Sequence, residues 1–148
     1  MSRSLLEDAT MVFLEVTNYC NFRCSFCPQG ISTRPPEHMD TDLGKDLIKH
    51  LYEAGYQNNL YFHILGEPLL HPDISEIVDF ASKRLPKSIL FTNGSLLTSE
   101  KIHSVFKAQP HELMISKQMI DEETFDLRGS SMSWDRYLSC ITMLCNIS

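Results

Sequence analysis

Three of the five cysteines in this chain of 148 residues lie within one stretch of eight residues. They are Cys20, Cys24 and Cys27, at the spacing C-x3-C-x2-C. Because their number is odd, these thiols cannot all pair with one another, and the short spacing would distort the loop around any single disulfide. Thiolates placed so closely on a loop are better suited to hold a metal.

Thiolate ligands serve either zinc or an iron–sulfur cluster. A structural zinc ion takes four protein ligands, so a histidine, Cys140 or Cys145 would have to supply the fourth. Those two cysteines lie in a predicted apolar helix face, where a buried free cysteine is the commoner interpretation. A cubic [4Fe–4S] cluster on three cysteines keeps one iron without a protein ligand, and that iron can bind a small molecule. The loop therefore favours a reactive metal site over a purely structural one.

The elements that must position these cysteines alternate between strands and helices. Apolar and β-branched runs predict strands over 11–17, 60–65, 88–92 and 112–116. Helical spacing predicts helices over 42–54, 73–84, 98–108 and 134–145, with a helical turn at 121–126 and a short leading helix at 3–8. The predicted N-caps are Thr41 or Asp42, Asp73, Thr98 and Ser133. The cysteines lie in a long predicted loop, 18–41, which is rich in proline.

A strand–helix unit repeated four times predicts a parallel sheet, because crossovers of a dozen or more residues join parallel strands. The fold class is therefore α/β, either a barrel or an open doubly wound sheet. Ligand sites in such folds lie beyond the carboxyl ends of the strands. The cysteines, Gly66-Glu67-Pro68, Thr92-Asn93-Gly94 and Ser116 each follow or end a predicted strand. We therefore expect them to meet at one edge of the sheet.

Charge and composition narrow the classes of partner. The net charge of −6 argues against general nucleic-acid binding, which needs a basic surface. No apolar run is long enough to span a bilayer, and the first ten residues lack the apolar segment of a secretory signal. We expect one domain over residues 1–148, a cytoplasmic location where thiols stay reduced, and neither a nucleic-acid nor a membrane partner.

The cysteine motif, with the aromatic Phe26 just before its last cysteine, resembles that of the radical S-adenosylmethionine (radical SAM) enzymes. The segment 66–73 looks like the family's Gly-Gly-Glu-Pro segment, and 92–94 looks like its strand that meets the ribose. Phe125-x2-Arg128-Gly129 is similar to a stretch of the SPASM-type branch, which carries a cysteine-rich C-terminal extension. The resemblance covers about residues 11–145.

The resemblance implies a parallel-stranded partial (βα) barrel with two cofactors, a [4Fe–4S] cluster and S-adenosyl-L-methionine (SAM). Cys20, Cys24 and Cys27 would ligate three irons, and the fourth iron would chelate the amino and carboxylate groups of SAM. The other implied contacts with SAM are those of Phe26 with the adenine, of backbone groups at Gly66, Glu67 and Pro68 with the methionine amino group, and of Thr92 or Asn93, with Ser116, at the ribose or the methionyl carboxylate.

The resemblance also implies the reaction. One electron from the reduced cluster would cleave SAM, and the 5′-deoxyadenosyl radical would take a hydrogen atom from a substrate. A low-potential electron donor of the flavodoxin or ferredoxin type is implied as partner. The substrate, a peptide or a small molecule, and the catalytic residues that act on it are not identified by the sequence.

Two departures from the family pattern stand out. Leu65 replaces the first glycine of the Gly-Gly-Glu-Pro segment, and we expect it to point into the barrel wall. Only about four of the family's six strand–helix units are visible, so we expect the N-terminal part of a longer core domain, with strand four as an uncovered edge. Two other hypotheses fit these residues: a non-catalytic iron–sulfur or zinc-binding module, and an inactive truncated remnant.

Three residues near the predicted strand ends are expected to have structural roles. His63 either faces the barrel interior near a substrate or is a hydrogen-bonded core histidine, and we expect the second; we expect His71 to bond the backbone. We expect Glu15 either to face the interior or to pair with Arg23.

Overall fold

Four parallel strands form a single sheet in the order β1-β2-β3-β4. The computed structural model describes residues 9–146, so the helix predicted at 3–8 lies outside the described residues. The α/β class and the parallel pairing of four successive strands are confirmed. The strands are β1, Met11–Phe13; β2, Asn59–Tyr61; β3, Lys87–Thr92; and β4, Glu112–Ile115.

Helices follow each strand, as the strand–helix alternation predicts. They are α1, Thr41–Glu53; α2, Ile74–Ser82; α3, Ser99–Ala108; α4, Glu122–Asp126; and α5, Trp134–Cys145. Two short 3₁₀ turns, Pro28–Ile31 and Pro68–Leu70, lie in the loops after β1 and β2. None of the helices within residues 9–146 has the length and apolar character needed to cross a membrane.

The N-cap residues of α2, α3 and α5 are those predicted, but that of α1 is not, and the side chain at the start of α2 makes no capping hydrogen bond. The carboxylate of Asp40, rather than Thr41 or Asp42, accepts a hydrogen bond from the backbone N–H of Leu43 (3.0 Å). Thr41 instead donates its hydroxyl to Asp73 (2.7 Å). Asp73 holds the N-cap position of α2 without capping it by its side chain, because that carboxylate joins the two helix starts.

β1 and β2 are shorter than the predicted strands 11–17 and 60–65, because the backbone groups beyond them find other partners. Leu14 still donates to the carbonyl oxygen of Tyr61 (2.8 Å). The carbonyl oxygen of Val16, however, accepts from the backbone N–H of Met39 (2.8 Å), and Thr17 forms an antiparallel bridge with His38. The chain therefore leaves the sheet to pair with the returning end of its own cysteine loop.

The two faces of the sheet differ in what covers them. On one face the buried residues Leu60, Phe62 and Leu90 pack in the main hydrophobic core with apolar side chains of α1, α2 and α3. Successive strand residues point to opposite faces, so the neighbours of these residues in sequence lie on the other face. That face carries Phe13, which is 45 % exposed, and Phe91. It borders the cavity described next.

Candidate functional site

A cavity of about 320 Å³ lies at the carboxyl ends of the strands. Its lining includes all ten residues that the sequence singled out for metal or cofactor contacts: Cys20, Cys24, Phe26, Cys27, Gly66, Glu67, Pro68, Thr92, Asn93 and Ser116. These residues come from the loops and ends of four different strands, up to 96 positions apart in the sequence (116 − 20). Parallel pairing brings them together, as the topology predicts.

The first part of the cysteine loop is packed into a second hydrophobic cluster. Phe22, which is 2 % exposed, makes an edge-to-face contact with Phe125 of α4 (6.0 Å between ring centroids) and packs against Tyr137 of α5. Cys20 and Cys24 pack against the same cluster. The side chains around the cluster therefore hold these two thiols in place from behind.

Backbone pairing fixes the same part of the loop. Arg23 donates its N–H to the carbonyl oxygen of Arg128 (3.0 Å), and Ser25 donates to that of Leu127 (2.9 Å). Gly129, which follows Arg128, has φ +54°, and a Cβ there would stand 2.9 Å from the carbonyl carbon of Arg23. A glycine is required because both the left-handed backbone and the close approach exclude a side chain.

The three thiols fit a multinuclear cluster better than a single ion. Burial raises the pKa of the Cys20 thiol, and it raises that of Cys24 too, where the Arg128 guanidinium offsets part of the effect. A bound cationic centre would favour the thiolates. Within residues 9–146, no three His, Cys, Asp or Glu side chains are arranged to hold one metal ion. The cysteines instead surround a cavity with room for a larger group.

Gly66 is where the end of β2 docks onto the cysteine loop. A Cβ at Gly66 would overlap the carbonyl oxygen of Thr17 and stand 2.8 Å from that of Tyr19. The next backbone N–H, that of Glu67, donates to the Tyr19 oxygen (2.7 Å). This glycine is therefore explained by contact between two protein backbones, before any ligand is considered.

The carboxylate of Glu67 joins the ends of β2 and β3. It is 2 % exposed and accepts hydrogen bonds from the Leu69 N–H (3.1 Å), the Thr92 hydroxyl (2.7 Å) and the Asn93 N–H (2.6 Å). Burial raises the pKa of Glu67, and the three donors oppose that shift because they favour the carboxylate. Its oxygen atoms are thus occupied by hydrogen bonds within the protein, and these bonds stabilise the wall of the cavity.

The side chains of Thr92 and Asn93 are also engaged by the protein. The Thr92 oxygen accepts from the N–H of Gly94 (3.0 Å), and the Asn93 amide donates to Asn21 in the cysteine loop (3.0 Å). Asn21 in turn donates to Ser95 (2.8 Å). The turn after β3 therefore holds the cysteine loop in position.

Arg128 is a cavity residue to which the sequence assigned no role, although its Phe-x2-Arg-Gly motif was visible. It is 3 % exposed and donates to the carbonyl oxygen of Ser116 (2.7 Å) and to the side chain of Gln118 (2.9 Å). Its guanidinium lies 5.0 Å from the ring centre of Phe22, and its Nε has no partner within the described residues. A buried positive charge thus borders the cavity.

Two expectations near the end of β2 are wrong. Leu65 is only half-buried and lines the cavity, so it does not lie buried in the barrel wall. Of the two alternatives for Glu15, only the pairing with Arg23 is wrong: its side chain is 15 % exposed and pairs with Arg34 through two contacts (2.5 and 3.0 Å), and it accepts the backbone N–H of Leu65 (3.2 Å). Arg23 is not available, because its guanidinium donates to the carbonyl oxygen of Cys20 (2.9 Å).

The two singled-out histidines differ. His71 bonds the backbone as expected: its Nε2 lies 2.7 Å from the Met39 carbonyl oxygen, and its Nδ1 accepts from Asp73 (3.1 Å). His63 lines the cavity, and its buried Nδ1 has no hydrogen-bond partner in the described part of the chain. The expectation of a hydrogen-bonded core histidine is therefore wrong.

The remaining two cysteines lie away from the cavity lining. Cys140 is half-buried and contacts the carbonyl oxygen of Ser95 (3.6 Å). Cys145 is exposed near the end of α5, so the expectation that it is a core residue is wrong. The apolar stripe of α5 is centred on other positions, and Tyr137 is its buried residue.

The family follows from the sequence as a whole. The profile of the Radical SAM superfamily matches residues 14–147. The chain therefore belongs to the radical SAM superfamily, and the resemblance inferred from its motifs is confirmed.

Individual relatives and a solved structure agree with this assignment. An S-adenosyl-L-methionine-dependent 2-deoxy-scyllo-inosamine dehydrogenase from Niallia circulans is 31 % identical over 99 residues, covering 65 % of this chain and 40 % of that protein. An AdoMet-dependent heme synthase from Methanosarcina barkeri is 31 % identical over 137 residues, covering 90 % of this chain and 38 % of that protein. The chain thus spans less than half the length of these relatives.

The crystal structure of BtrN in complex with AdoMet and 2-DOIA superposes with a TM-score of 0.67 at 24 % identity, covering 87 % of this chain and 54 % of that one. This likeness shows that the four-stranded α/β sheet is the partial barrel of the radical SAM fold.

Proposed function

We propose that this chain forms the cluster- and SAM-binding part of an enzyme that cleaves SAM reductively. The observation that carries the proposal is that one cavity is lined both by the three cysteines and by residues at the ends of β2, β3 and β4. The relatives support it, because both are S-adenosylmethionine-dependent by their names.

In the proposed site, Cys20, Cys24 and Cys27 hold a [4Fe–4S] cluster by three of its irons. When bound, such a cluster supplies one electron to SAM, and the 5′-deoxyadenosyl radical that results can take a hydrogen atom from a substrate. Cys20 and Cys24 pack against the hydrophobic side chains around Phe22. This packing supports the role, because it keeps two of the three proposed ligands in place before the iron–sulfur cluster binds.

The remaining lining residues would bind and orient SAM. Backbone groups of 66–68 would receive its amino group, and the exposed ring of Phe26 offers a flat surface for the adenine. Ser116 and the backbone of 92–93 would meet the ribose or the carboxylate. Arg128, buried beside them and positively charged, would attract the carboxylate, so we add it to the residues that the sequence predicted.

Four wider statements belong to the same proposal. Residues 1–148 would be the N-terminal part of a radical SAM core domain, of the SPASM-type branch that the Arg128 motif resembles. The protein would be cytoplasmic. A flavodoxin- or ferredoxin-type protein would deliver the electron. The substrate would be a small molecule or a peptide, and neither nucleic acid nor a membrane would be a partner.

The proposal is tested by anaerobic reconstitution with iron and sulfide, reduction with dithionite and addition of SAM. We expect a brown protein with a [4Fe–4S] signature in electron paramagnetic resonance, and 5′-deoxyadenosine by chromatography. Cys24→Ala should abolish both, because a cluster held by two cysteines is lost. Cys145→Ala is the matched control, since this exposed thiol lies outside the cavity, and it should keep both.

Other outcomes would identify the alternatives. A stable cluster without SAM cleavage would indicate a non-catalytic module, and tight binding of colourless zinc without iron would overturn the proposal. A folded chain that binds neither metal would indicate an inactive remnant.

A further inference from the structure

His63 borders the cavity where the cysteine site meets the face of the sheet that is not covered by α1–α3. It lies two residues beyond Tyr61, the last residue of β2, and the rings of the two residues are in contact on this face. Its ring stacks on Phe91 of β3 (4.2 Å between centroids, 28° between planes). Phe13 and Tyr61 approach the ring edge-on at 5.8 and 6.2 Å. The imidazole is therefore held firmly by three aromatic neighbours.

Within residues 9–146, one ring nitrogen of this imidazole is left without a hydrogen bond. Its Nδ1 is buried and has no hydrogen-bond partner in the described part of the chain. Leaving a buried polar atom unpaired destabilises the folded protein, whereas an apolar ring of similar shape would pack there without that penalty. A role in packing alone does not explain a histidine at this position.

The surroundings favour a neutral partner over an ion. Burial lowers the pKa of His63, so the ring is uncharged at neutral pH and offers one donor and one acceptor. The three rings around it carry no charge, and the guanidinium of Arg128 is already engaged by hydrogen bonds to Ser116 and Gln118. An anion placed against His63 would thus be desolvated without a matching positive charge.

We propose that His63 is a substrate-positioning residue, whose imidazole hydrogen-bonds a hydroxyl group of a neutral, ring-shaped substrate that lies against Phe13 and Phe91. The aromatic surface supplies apolar contact for a flat molecule, and the single polar group fixes its orientation. Because the cavity continues from His63 to the cysteines, a substrate held here would face the cofactor end of the same cavity. That this site serves a reaction rests on the proposed function.

The test uses ¹⁹F nuclear magnetic resonance titrations of the full reconstituted chain, without SAM, with three small probes. They are 4-fluorophenol, which has a ring and a hydroxyl, fluorobenzene, which lacks the hydroxyl, and 4-fluorobenzoate, which is an anion. We expect 4-fluorophenol to bind about two- to tenfold more tightly than fluorobenzene, the range for one neutral hydrogen bond. His63→Phe should remove that difference, and His63→Gln should retain part of it, because an amide also donates and accepts.

His103→Phe is the matched control, since His103 is an exposed histidine on α3, and it should keep the full preference. Equal binding of 4-fluorophenol and fluorobenzene by the wild-type protein would overturn the inference. So would a preference that persists in His63→Phe, or binding of 4-fluorobenzoate that is tighter than that of 4-fluorophenol and is weakened by His63→Phe.

The two proposals can fail separately. SAM cleavage with no preference for 4-fluorophenol would remove the inference about His63 and leave the proposed function standing. A His63-dependent preference in a protein that does not cleave SAM would show the binding site but remove its role in that reaction.

Discussion

The cysteine loop has two halves of different character. In the anchored half, residues 20–25, Phe22 is buried, Asn21 bonds the turn after β3, and two backbone hydrogen bonds join 23–25 to 127–128. In the exposed half, residues 26–36, Phe26 is 57 % and Ile31 85 % exposed. This half is fastened mainly at its far end, where Asn18 bonds the carbonyl oxygen of Pro35 and Arg34 pairs with Glu15.

The difference indicates how the site is assembled. Cys20 and Cys24 belong to the anchored half, and their positions depend on packing that the protein supplies by itself. Cys27 is the second residue of the exposed half, and its backbone N–H donates one turn hydrogen bond to the carbonyl oxygen of Cys24 (3.0 Å). We expect the first two ligands to be preorganised, and Cys27 and Phe26 to settle when cofactors bind, since groups ordered in advance lower the cost of binding.

The first of two large predicted contrasts is between two glycines. Gly66→Ala would place a Cβ against the backbone of Thr17 and Tyr19. Neither backbone segment can move away without breaking the contact between the end of β2 and the cysteine loop. We expect the substitution to lower the free energy of unfolding by about 3 kcal/mol or more. Gly30→Ala, in the exposed half, meets no atom within 4 Å and should change it by less than about 0.5 kcal/mol. Urea unfolding followed by Trp134 fluorescence measures both, and equal effects would show that the start of the cysteine loop, at Thr17 and Tyr19, is held no more tightly than its exposed half.

A second contrast is between two phenylalanines. Phe22→Ala removes a buried ring from the cluster behind the cysteines, and we expect a loss of about 3–5 kcal/mol of stability. Phe26→Ala should leave the urea midpoint close to that of the wild type and weaken SAM binding instead, because its exposed ring is proposed to contact the adenine. Calorimetric titration of SAM into the reconstituted protein measures the second effect. A large stability loss in Phe26→Ala would show that the exposed half is also anchored by packing.

The smallest predicted effect concerns the fastening of the exposed half. Arg34 holds the pKa of Glu15 below its usual value of 4.5. The folded pKa is thus lower than the unfolded one, so the pair stabilises the fold above about pH 4.5, and this contribution is lost as the pH falls through the folded pKa. We expect Arg34→Ala to lower the urea midpoint slightly at pH 7, and we expect this difference from the wild type to shrink as the pH is lowered from 7 to 3. A difference that is the same at both pH values would show that the charge pair is not its cause.

The sequence predicted the strand–helix order well, and it predicted the edges of these elements less well. Alternating apolar patterns are local, so β3, β4 and the helices lie close to the predicted positions. The ends of β1 and β2 were missed because Val16 and Thr17 pair with Met39 and His38, residues about twenty positions away. Likewise, the cap of α1 depends on Asp73 engaging Thr41, a contact between two helices.

The sequence by itself determined the chemistry of this protein: the three thiols and their spacing, the order of the site segments, and the family to which they belong. Only the tertiary structure decided which of the other polar side chains at the cavity keep an atom without a hydrogen-bond partner. Glu67, Thr92 and Asn93 are taken up by hydrogen bonds to one another and to the cysteine loop, while Arg128 and His63 each keep a nitrogen that has no partner among residues 9–146. The physical reason is that residue type and spacing are local properties, whereas hydrogen-bond satisfaction depends on which distant groups the fold brings within about 3 Å.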